Sequence, residues 1–212
     1  MKVEKLIDSF LSKTVGVIHI GASRGQERYI YDKYNLSVVW IEPIPEVFNI
    51  LLKHIKPFPK QRALKYLITN IDDKKYKFRI ANNRGESSSI LDLKDCYKLW
   101  PNIFYIETII LKGITLTTLC QREQIDLSKY DALVLDTQGS ELLVLQGAIP
   151  VLDSFKYIEV EVPNFESYKR RCQIGDIEKF MGEHGYKELI RRRQQTHHKT
   201  CQCYDIVYKK NE

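Results

Sequence analysis

The 212-residue sequence has no long hydrophobic run. Its apolar stretches are far shorter than the roughly 18 residues that a membrane-spanning helix needs, so we expect no membrane span. The opening Met-Lys-Val-Glu-Lys lacks the apolar core of a secretory signal peptide. Internal repeats and low-complexity linkers are also missing. We therefore expect one domain over residues 1–212, with excision from a larger protein left open.

Cysteine is scarce, with five residues spread unevenly along the chain. An odd number without regular spacing does not predict a disulfide framework, so we expect reduced thiols in a cytoplasmic protein. His197, His198, Cys201 and Cys203 offer one alternative, a zinc site. Their spacing is cramped compared with usual zinc ligand pairs, which favours a loop before the last strand.

A dense basic stripe is missing too, although the formal net charge is +6. Strong nucleic-acid binders usually concentrate their positive charge, so we do not expect a nucleic-acid partner. The arginines at 170–171 and 191–193 leave open a basic patch for RNA or an anionic glycan. The apolar and charged contents, 43% and 28%, are those of ordinary globular proteins. The oligomeric state is not predicted.

The segment from Val15 to Glu27 predicts a strand, a glycine loop and the start of a helix. Such a unit often binds a cofactor, because glycines let the backbone approach a ligand and a helix N-terminus offers unpaired N–H groups. Dinucleotide-binding loops carry a third, middle glycine, and Ser23 occupies that position here. The loop between Gly21 and Gly25 therefore favours a ligand without a pyrophosphate, such as S-adenosylmethionine (SAM). Glycines required only for steric reasons remain an alternative.

Alternating strands and helices predict a doubly wound α/β fold. An amphipathic helix is expected at 2–12, and a later helix is expected to start after Ser140 and to stop at Gly147. The other predicted strands lie at 37–41, 76–81, 103–111, 130–135, 157–162 and 204–208, and the other helices at 46–55, 91–99, 117–124 and 175–185.

Three acidic residues follow or end predicted strands, namely Glu42, Asp136 and Glu161. Ligands of open α/β sheets bind at the carboxyl ends of the strands. We expect Glu42 to accept hydrogen bonds from a ribose diol, and Asp136 to hold an ammonium group, ligate a divalent cation or take a proton. Glu161 is a second candidate base. Helix capping and a buried ion pair are the structural alternatives.

Five ordered segments of this chain resemble FkbM-type SAM-dependent methyltransferases. They are H-I-G-A-S-R-G-Q-E (19–27), W-I-E-P-I-P-E-V-F (40–48), N-N-R-G-E-S-S-S-I-L (82–91), Y-D-A-L-V-L-D-T-Q-G-S-E-L-L-V-L-Q-G-A (130–148) and Y-I-E-V-E-V (157–162). The resemblance implies a three-layer, Rossmann-like class I methyltransferase fold. Its seven-stranded sheet is mostly parallel, with an antiparallel strand near the C-terminal edge. The implied activity is methyl transfer from SAM to a hydroxyl, with a sugar such as rhamnose or fucose favoured.

Site residues follow from the resemblance and the pattern together. His19 stands where many relatives carry Asp, and we expect it on the cofactor side. Asp136 and Glu161 are the expected catalytic residues, with Mg2+ or Mn2+ bound to them as an alternative. The remaining cofactor-binding candidates are Gly21, Ala22, Ser23, Gly25, Glu27, Glu42, Pro43, Ile44 and Gln138, and Asp136 belongs with them. The acceptor-binding candidates are Asn82, Ser88, Glu159 and Tyr168.

Two other classes of function stay open at this point. The first is an RNA or protein methyltransferase that uses the basic C-terminal third, and RNA binding would weaken steeply with added salt. The second is a non-catalytic Rossmann-like binding module or an NAD-dependent oxidoreductase. The missing middle glycine argues against NAD, and the glycine loop together with Glu42 and Asp136 argues against a silent module.

Overall fold

The computed structural model describes residues 10–194 and 200–211, and its main feature is a seven-stranded sheet. The strands of the chain are β1 (Gly16–Ile20), β2 (Ser37–Ile41), β3 (Gln61–Leu64), β4 (Leu67–Ile68), β5 (Lys75–Ala81), β6 (Tyr105–Ile114), β7 (Ala132–Leu135), β8 (Tyr157–Pro163), β9 (Tyr186–Arg193) and β10 (Cys203–Lys210). The large sheet has the order β3-β2-β1-β7-β8-β10-β9. Only β10 runs antiparallel to both of its neighbours. The expected mostly parallel sheet, with its antiparallel strand near the C-terminal edge, is confirmed.

Helices cover both faces of this sheet. They are α1 (Arg28–Lys33), α2 (Pro45–Ile55), α3 (Leu116–Arg122), α4 (Glu141–Leu152) and α5 (Ile174–Glu183). Neighbouring residues of β1 face opposite layers: Val17 packs with Tyr31 of α1, whereas Ile18 belongs to the cluster of α3, α4 and α5. Burial on both faces explains why the central strands are continuous apolar runs instead of alternating ones. The result is a three-layer α/β structure.

A second, three-stranded sheet has the order β4-β6-β5. Its Phe78 and Ile80 pack on Ile44 and Val47, at the start of α2. The segment between β5 and β6 therefore lies next to the carboxyl end of β2. The helix predicted at 91–99 is wrong, because only a 3-10 turn forms there, at Asp95–Lys98.

Two of the remaining predictions about the chain reach residues outside the described part. Of the amphipathic stretch 2–12, the structure describes Phe10 onwards, and Phe10 and Leu11 are buried. The zinc alternative involves His197 and His198, which also lie outside the described residues. All five cysteines are described, and none of them forms a disulfide. No helix within 10–194 or 200–211 is long and apolar enough to span a membrane.

Helix α4 continues through Gly147, so the predicted stop at this glycine is wrong. A Cβ atom on Gly147 would lie 2.3 Å from the carbonyl oxygen of Thr69. Glycine is thus needed where the helix packs closely against the chain beside β4. The residues of the helix alone do not indicate this contact, so the glycine resembled a helix end. The side chain of Ser140 does not cap the helix either.

We predict that Gly147→Ala lowers the free energy of unfolding by about 1–3 kcal/mol, because the added methyl group displaces the Thr69 backbone. Gly182→Ala in α5 is the matched control, since nothing lies within 4 Å of its added Cβ. The control should gain about 0.5–1 kcal/mol from helix propensity. Urea unfolding measures both changes, and equal effects would contradict the packing role of Gly147.

Candidate active site

A crevice of about 300 Å³ opens at the carboxyl ends of β1, β2, β7 and β8. Side chains of the small sheet and of the β5–β6 segment form its other walls. The volume lies at the lower end of the roughly 300–1,000 Å³ typical of small-molecule pockets. Among the residues that line it are Gly21, Ser23, Glu42, Pro43, Ile44, Ser88, Trp100, Asp136, Gln138 and Glu161.

The two loop glycines allow close packing at the end of β1. A Cβ on Gly21 would lie 1.8 Å from the carbonyl oxygen of Asp136, and the φ of Gly21 is +85°. Gly25, with φ +67°, packs against Leu51 of α2. Both positions therefore require glycine, and the loop brings the end of β1 against the end of β7. Ala22 is buried in the core below the loop and does not line the crevice.

Glu42 joins the glycine loop to the end of β2. Its two carboxylate oxygens accept hydrogen bonds from the backbone N–H of Ser23 (2.9 Å) and of Ile44 (2.8 Å). The side chain is buried, which raises the pKa of Glu42 to about 7 despite these two donors. Ser23 lies on the crevice wall with φ +45°, and its buried hydroxyl has no partner in the described structure.

Gln138 bridges the two candidate catalytic carboxylates. Its Nε2 donates to Asp136 Oδ1 at 2.5 Å and to Glu161 Oε2 at 3.0 Å. Its Oε1 accepts from the hydroxyl of Tyr168 at 2.7 Å, and its carbonyl accepts from Ser89 Oγ. Gln138 has φ +53°, a left-handed conformation that costs energy and is often found at functional sites. The surrounding hydrogen bonds hold it in this orientation.

Asp136 and Glu161 form a coupled pair. Burial, and after it the negative charge of Glu161, raises the pKa of Asp136 well above its usual range. Two carboxyl groups so close together do not both ionise readily, so the pair retains a proton at pH values where isolated carboxylates have lost it. A carboxyl group with a raised pKa is a stronger base, once ionised, than an ordinary carboxylate, which suits a general base.

A buried ion pair supports the loop that carries Asp136 and Gln138. Glu141, at the start of α4, accepts hydrogen bonds from the backbone N–H of Thr137 (3.1 Å) and Gly139 (2.9 Å). Its second oxygen lies 3.2 Å from Arg171 Nη2, and both side chains are buried. Arg171 was expected in an exposed basic patch, and this part of the expectation is wrong.

Several candidate residues lie outside the crevice. Asn82 bonds to the Asn102 carbonyl and to the Phe104 N–H, while the neighbouring Asn83 lines the crevice. Tyr168 is buried and orients Gln138 instead of exposing a ring to a ligand. Sequence reasoning also missed Tyr66 and Phe78 as well as Asn83, which reach the crevice through the second sheet and its loop.

His19, Glu27 and Glu159 line a different space, which we call the acidic cavity. It lies on the α1 face of the sheet and has a volume of about 210 Å³. Burial lowers the pKa of His19 to about 3 and raises that of Glu159 to about 8. His19 lines this cavity and not the crevice that contains Glu42, and its expected place on the cofactor side stays a prediction.

A divalent cation is the alternative ligand that the sequence predicts for Asp136 and Glu161. Across 10–194 and 200–211, no group of three or more His, Cys, Asp or Glu side chains is arranged to hold a metal ion. The alternative of Mg2+ or Mn2+ bound to Asp136 and Glu161 therefore finds no support in these residues.

Comparison with known sequences gives a family. The sequence model of the methyltransferase FkbM domain family matches residues 19–188, which confirms the resemblance drawn from the motifs. No protein among those with curated functions matches the chain.

Comparison with solved structures gives the fold. A provisionally assigned tRNA (m1A22) methyltransferase from Streptococcus pneumoniae has a TM-score of 0.56 at 8% identity, covering 100% of this chain and 71% of its own. Magnesium protoporphyrin IX methyltransferase from Synechocystis PCC 6803, solved with bound SAM, has a TM-score of 0.51 at 9% identity, with 98% and 79% covered. The 1,6-didemethyltoxoflavin-N1-methyltransferase from Burkholderia thailandensis, solved with S-adenosylhomocysteine, has a TM-score of 0.52 at 7% identity, with 93% and 71% covered. At such identities the likeness establishes a Rossmann-like methyltransferase fold and not a substrate.

We predict that Glu141→Ala lowers the free energy of unfolding by about 3–5 kcal/mol, because it leaves the buried Arg171 guanidinium without its carboxylate partner. The matched control is Glu183→Ala, which removes the exposed partner of Lys179 at 4.0 Å and should change little. Denaturant unfolding of both variants tests this difference. A loss below 1 kcal/mol for Glu141→Ala would contradict the supporting role of the buried pair.

Proposed function

Because this chain belongs to the methyltransferase FkbM domain family, we propose that it transfers a methyl group from SAM to a hydroxyl of a sugar or glycan, such as a deoxyhexose. The observation that carries the proposal is the coupled pair of Asp136 and Glu161, bridged by Gln138, in the same crevice as the glycine loop and Glu42. An acceptor hydroxyl needs help to lose its proton, and this pair supplies a carboxylate for that purpose.

The residues of the crevice fit SAM at several points. Each carboxylate oxygen of Glu42 accepts one backbone hydrogen bond, which leaves lone pairs for the hydroxyls of a ribose. Pro43 and Ile44 offer an apolar wall for an adenine ring. The unpartnered hydroxyl of Ser23 adds a polar group for the cofactor. When bound, SAM supplies a methyl group already activated by its sulfonium, and the chain then has to align the acceptor and exclude water.

The residues of the chain have to accept the proton of the acceptor hydroxyl. An alcohol is a weak nucleophile, so a base must take its proton as the new O–C bond forms. Asp136 is the first candidate, and its carboxylate would accept the proton. Glu161 holds the second carboxylate of the pair, and Gln138 keeps the two aligned through its amide. Catalysis of this kind requires that Asp136 first be ionised.

A glycan acceptor is favoured by the polar and aromatic groups at the crevice. The indole of Trp100 lines the crevice and keeps 39% of its surface exposed, which suits stacking against a sugar ring. Asn83, Ser87 and Glu86 add hydrogen-bonding groups on the same side.

The RNA alternative loses support because three of the five arginines singled out for it form ion pairs within the chain. Arg191 pairs with Glu178 and Glu188. Arg192 pairs with Asp205, and Arg171 is buried against Glu141. Of these arginines, only Arg170 and Arg193 lack a carboxylate partner among the described residues, which leaves two of the five cationic groups to bind phosphates.

The proposal is tested with isotope-labelled SAM and a panel of glycans that contain deoxyhexoses. We expect mass spectrometry to show a methyl group on a sugar hydroxyl. Thermal shifts with SAM, S-adenosylhomocysteine and NAD separate the cofactor classes, since a ligand of the native state stabilises it. Labelled methyl groups on RNA alone would overturn the glycan proposal, and stabilisation by NAD alone would overturn the cofactor assignment.

We predict that Glu42→Ala weakens SAM binding by about 10- to 100-fold, because hydrogen bonds to a charged acceptor contribute about 1.5–3 kcal/mol. Glu46→Ala is the matched control, since Glu46 is exposed on the first turn of α2. Isothermal titration with SAM compares the two variants with the parent chain. An unchanged dissociation constant in Glu42→Ala would remove Glu42 from the ribose site.

We predict that Asp136→Asn lowers turnover by about 10²- to 10⁴-fold while SAM binding persists. In the parent chain kcat/KM should rise with pH until the pair has lost its proton, since the pKa of Asp136 is raised. Glu161→Gln removes the neighbouring charge and should shift this rise to lower pH. Glu166→Gln, which alters a half-buried partner of Lys94 outside the crevice, is the control and should leave the profile unchanged. A profile that Glu161→Gln does not move would exclude Asp136 as the titrating base.

A further inference from the structure

The acidic cavity adjoins the crevice at the two candidate catalytic carboxylates. Asp136 and Glu161 line both spaces. The cavity volume of about 210 Å³ corresponds to roughly seven water molecules at about 30 Å³ each, which is enough for one pyranose ring. A group bound in the cavity would therefore lie next to the proposed base.

His19 presents an unused polar atom to this cavity. The residue is only 4% exposed, and its Nδ1 lies 3.0 Å from the hydroxyl of Tyr31. Its Nε2 has no hydrogen-bond partner among the described residues, while the ring lines the cavity. Since the ring lines the cavity, Nε2 is available to hydrogen-bond to a polar group of a ligand bound there.

The cavity is lined by more acidic than basic side chains. Glu27, Glu159 and Asp205 line it together with the Asp136–Glu161 pair. Its one cationic wall residue in the described structure is Arg192, whose Nε donates to Asp205 Oδ2 at 2.8 Å. Glu159 makes no hydrogen bond within 10–194 or 200–211. Burial raises the pKa of Glu159 to about 8, and an ammonium group placed against it would favour the ionised carboxylate, whereas an anion would disfavour it.

We propose that the acidic cavity binds the acceptor, and that the acceptor is an amine-bearing sugar whose ammonium group lies against Glu159. The inference rests on the proposed methyl transfer and narrows its substrate class. Sugar hydroxyls both donate and accept, so they satisfy His19 Nε2 in either tautomer. Sugars that carry a carboxylate, and phosphate-bearing acceptors, are selected against by the same charges.

The test is calorimetric titration with three methyl glycosides that differ in charge, each with and without saturating S-adenosylhomocysteine. The probes are methyl glucosaminide, methyl glucoside and methyl glucuronide. We expect the amine to bind about 10-fold or more tightly than the neutral sugar, and the glucuronide not to bind. Glu159→Gln should remove the preference for the amine without changing the affinity for S-adenosylhomocysteine.

Two further variants test whether the amine preference depends on the acidic side chains of the cavity. Glu27→Gln alters an exposed side chain at the cavity, so it should fold normally and reduce the amine preference. Glu107→Gln, on the exposed side of β6, is the control and should leave the preference intact.

The outcomes separate this inference from the proposed function. Equal affinities for the three probes, or an amine preference that survives Glu159→Gln, would overturn the inference. Weaker S-adenosylhomocysteine binding in Glu159→Gln would also overturn it, because the cavity would then hold the amino-acid part of the cofactor. A parent chain that binds the amine but no S-adenosylhomocysteine would instead contradict the proposed function.

Discussion

One side-chain amide holds together the centre of this protein. Gln138 donates from a single nitrogen to both Asp136 and Glu161, which end or follow neighbouring strands. Buried carboxylates without donors are costly, and two of them side by side repel each other. The amide reduces both costs, and its backbone is left-handed for that orientation. The candidate active site therefore depends on a strained residue that its neighbours keep in place.

The supporting contacts come from three separate parts of the chain. Glu141 accepts hydrogen bonds from the loop N–H groups and reaches Arg171 on its other side. Tyr168 donates to the Gln138 amide oxygen, and Gly21 lets the end of β1 approach Asp136. These contacts explain the spacing of D-T-Q-G-S-E, which supplies a candidate base, a bridging amide, a glycine with φ +108° and a carboxylate that accepts hydrogen bonds from the loop.

The candidate site is acidic although the chain as a whole is basic. The formal net charge is +6, yet the crevice and the acidic cavity are rich in carboxylates. Parallel strands end at one edge of the sheet, so acids placed after separate strands accumulate there. Net charge acts at long range and sets how the protein meets charged partners, whereas local charge decides what is bound in a cleft. Net charge and local charge can therefore favour different partners. The local charges are the ones that a proposed acceptor would contact.

The sequence by itself determined the alternation of strands and helices in the parallel part of the sheet, the glycine loop and the three acids at strand ends. These features are visible because short β-branched runs, glycines and strand-end acids are local signals. The tertiary structure alone decided that Tyr168 orients Gln138, that Arg171 is buried, that Gly147 touches the chain at Thr69, and that His19 and Glu159 face a separate cavity. It also decided that the charged segment Tyr186–Arg193 is an edge strand. Each of these facts depends on a partner far away along the chain, and no local pattern records which distant residue the fold brings into contact.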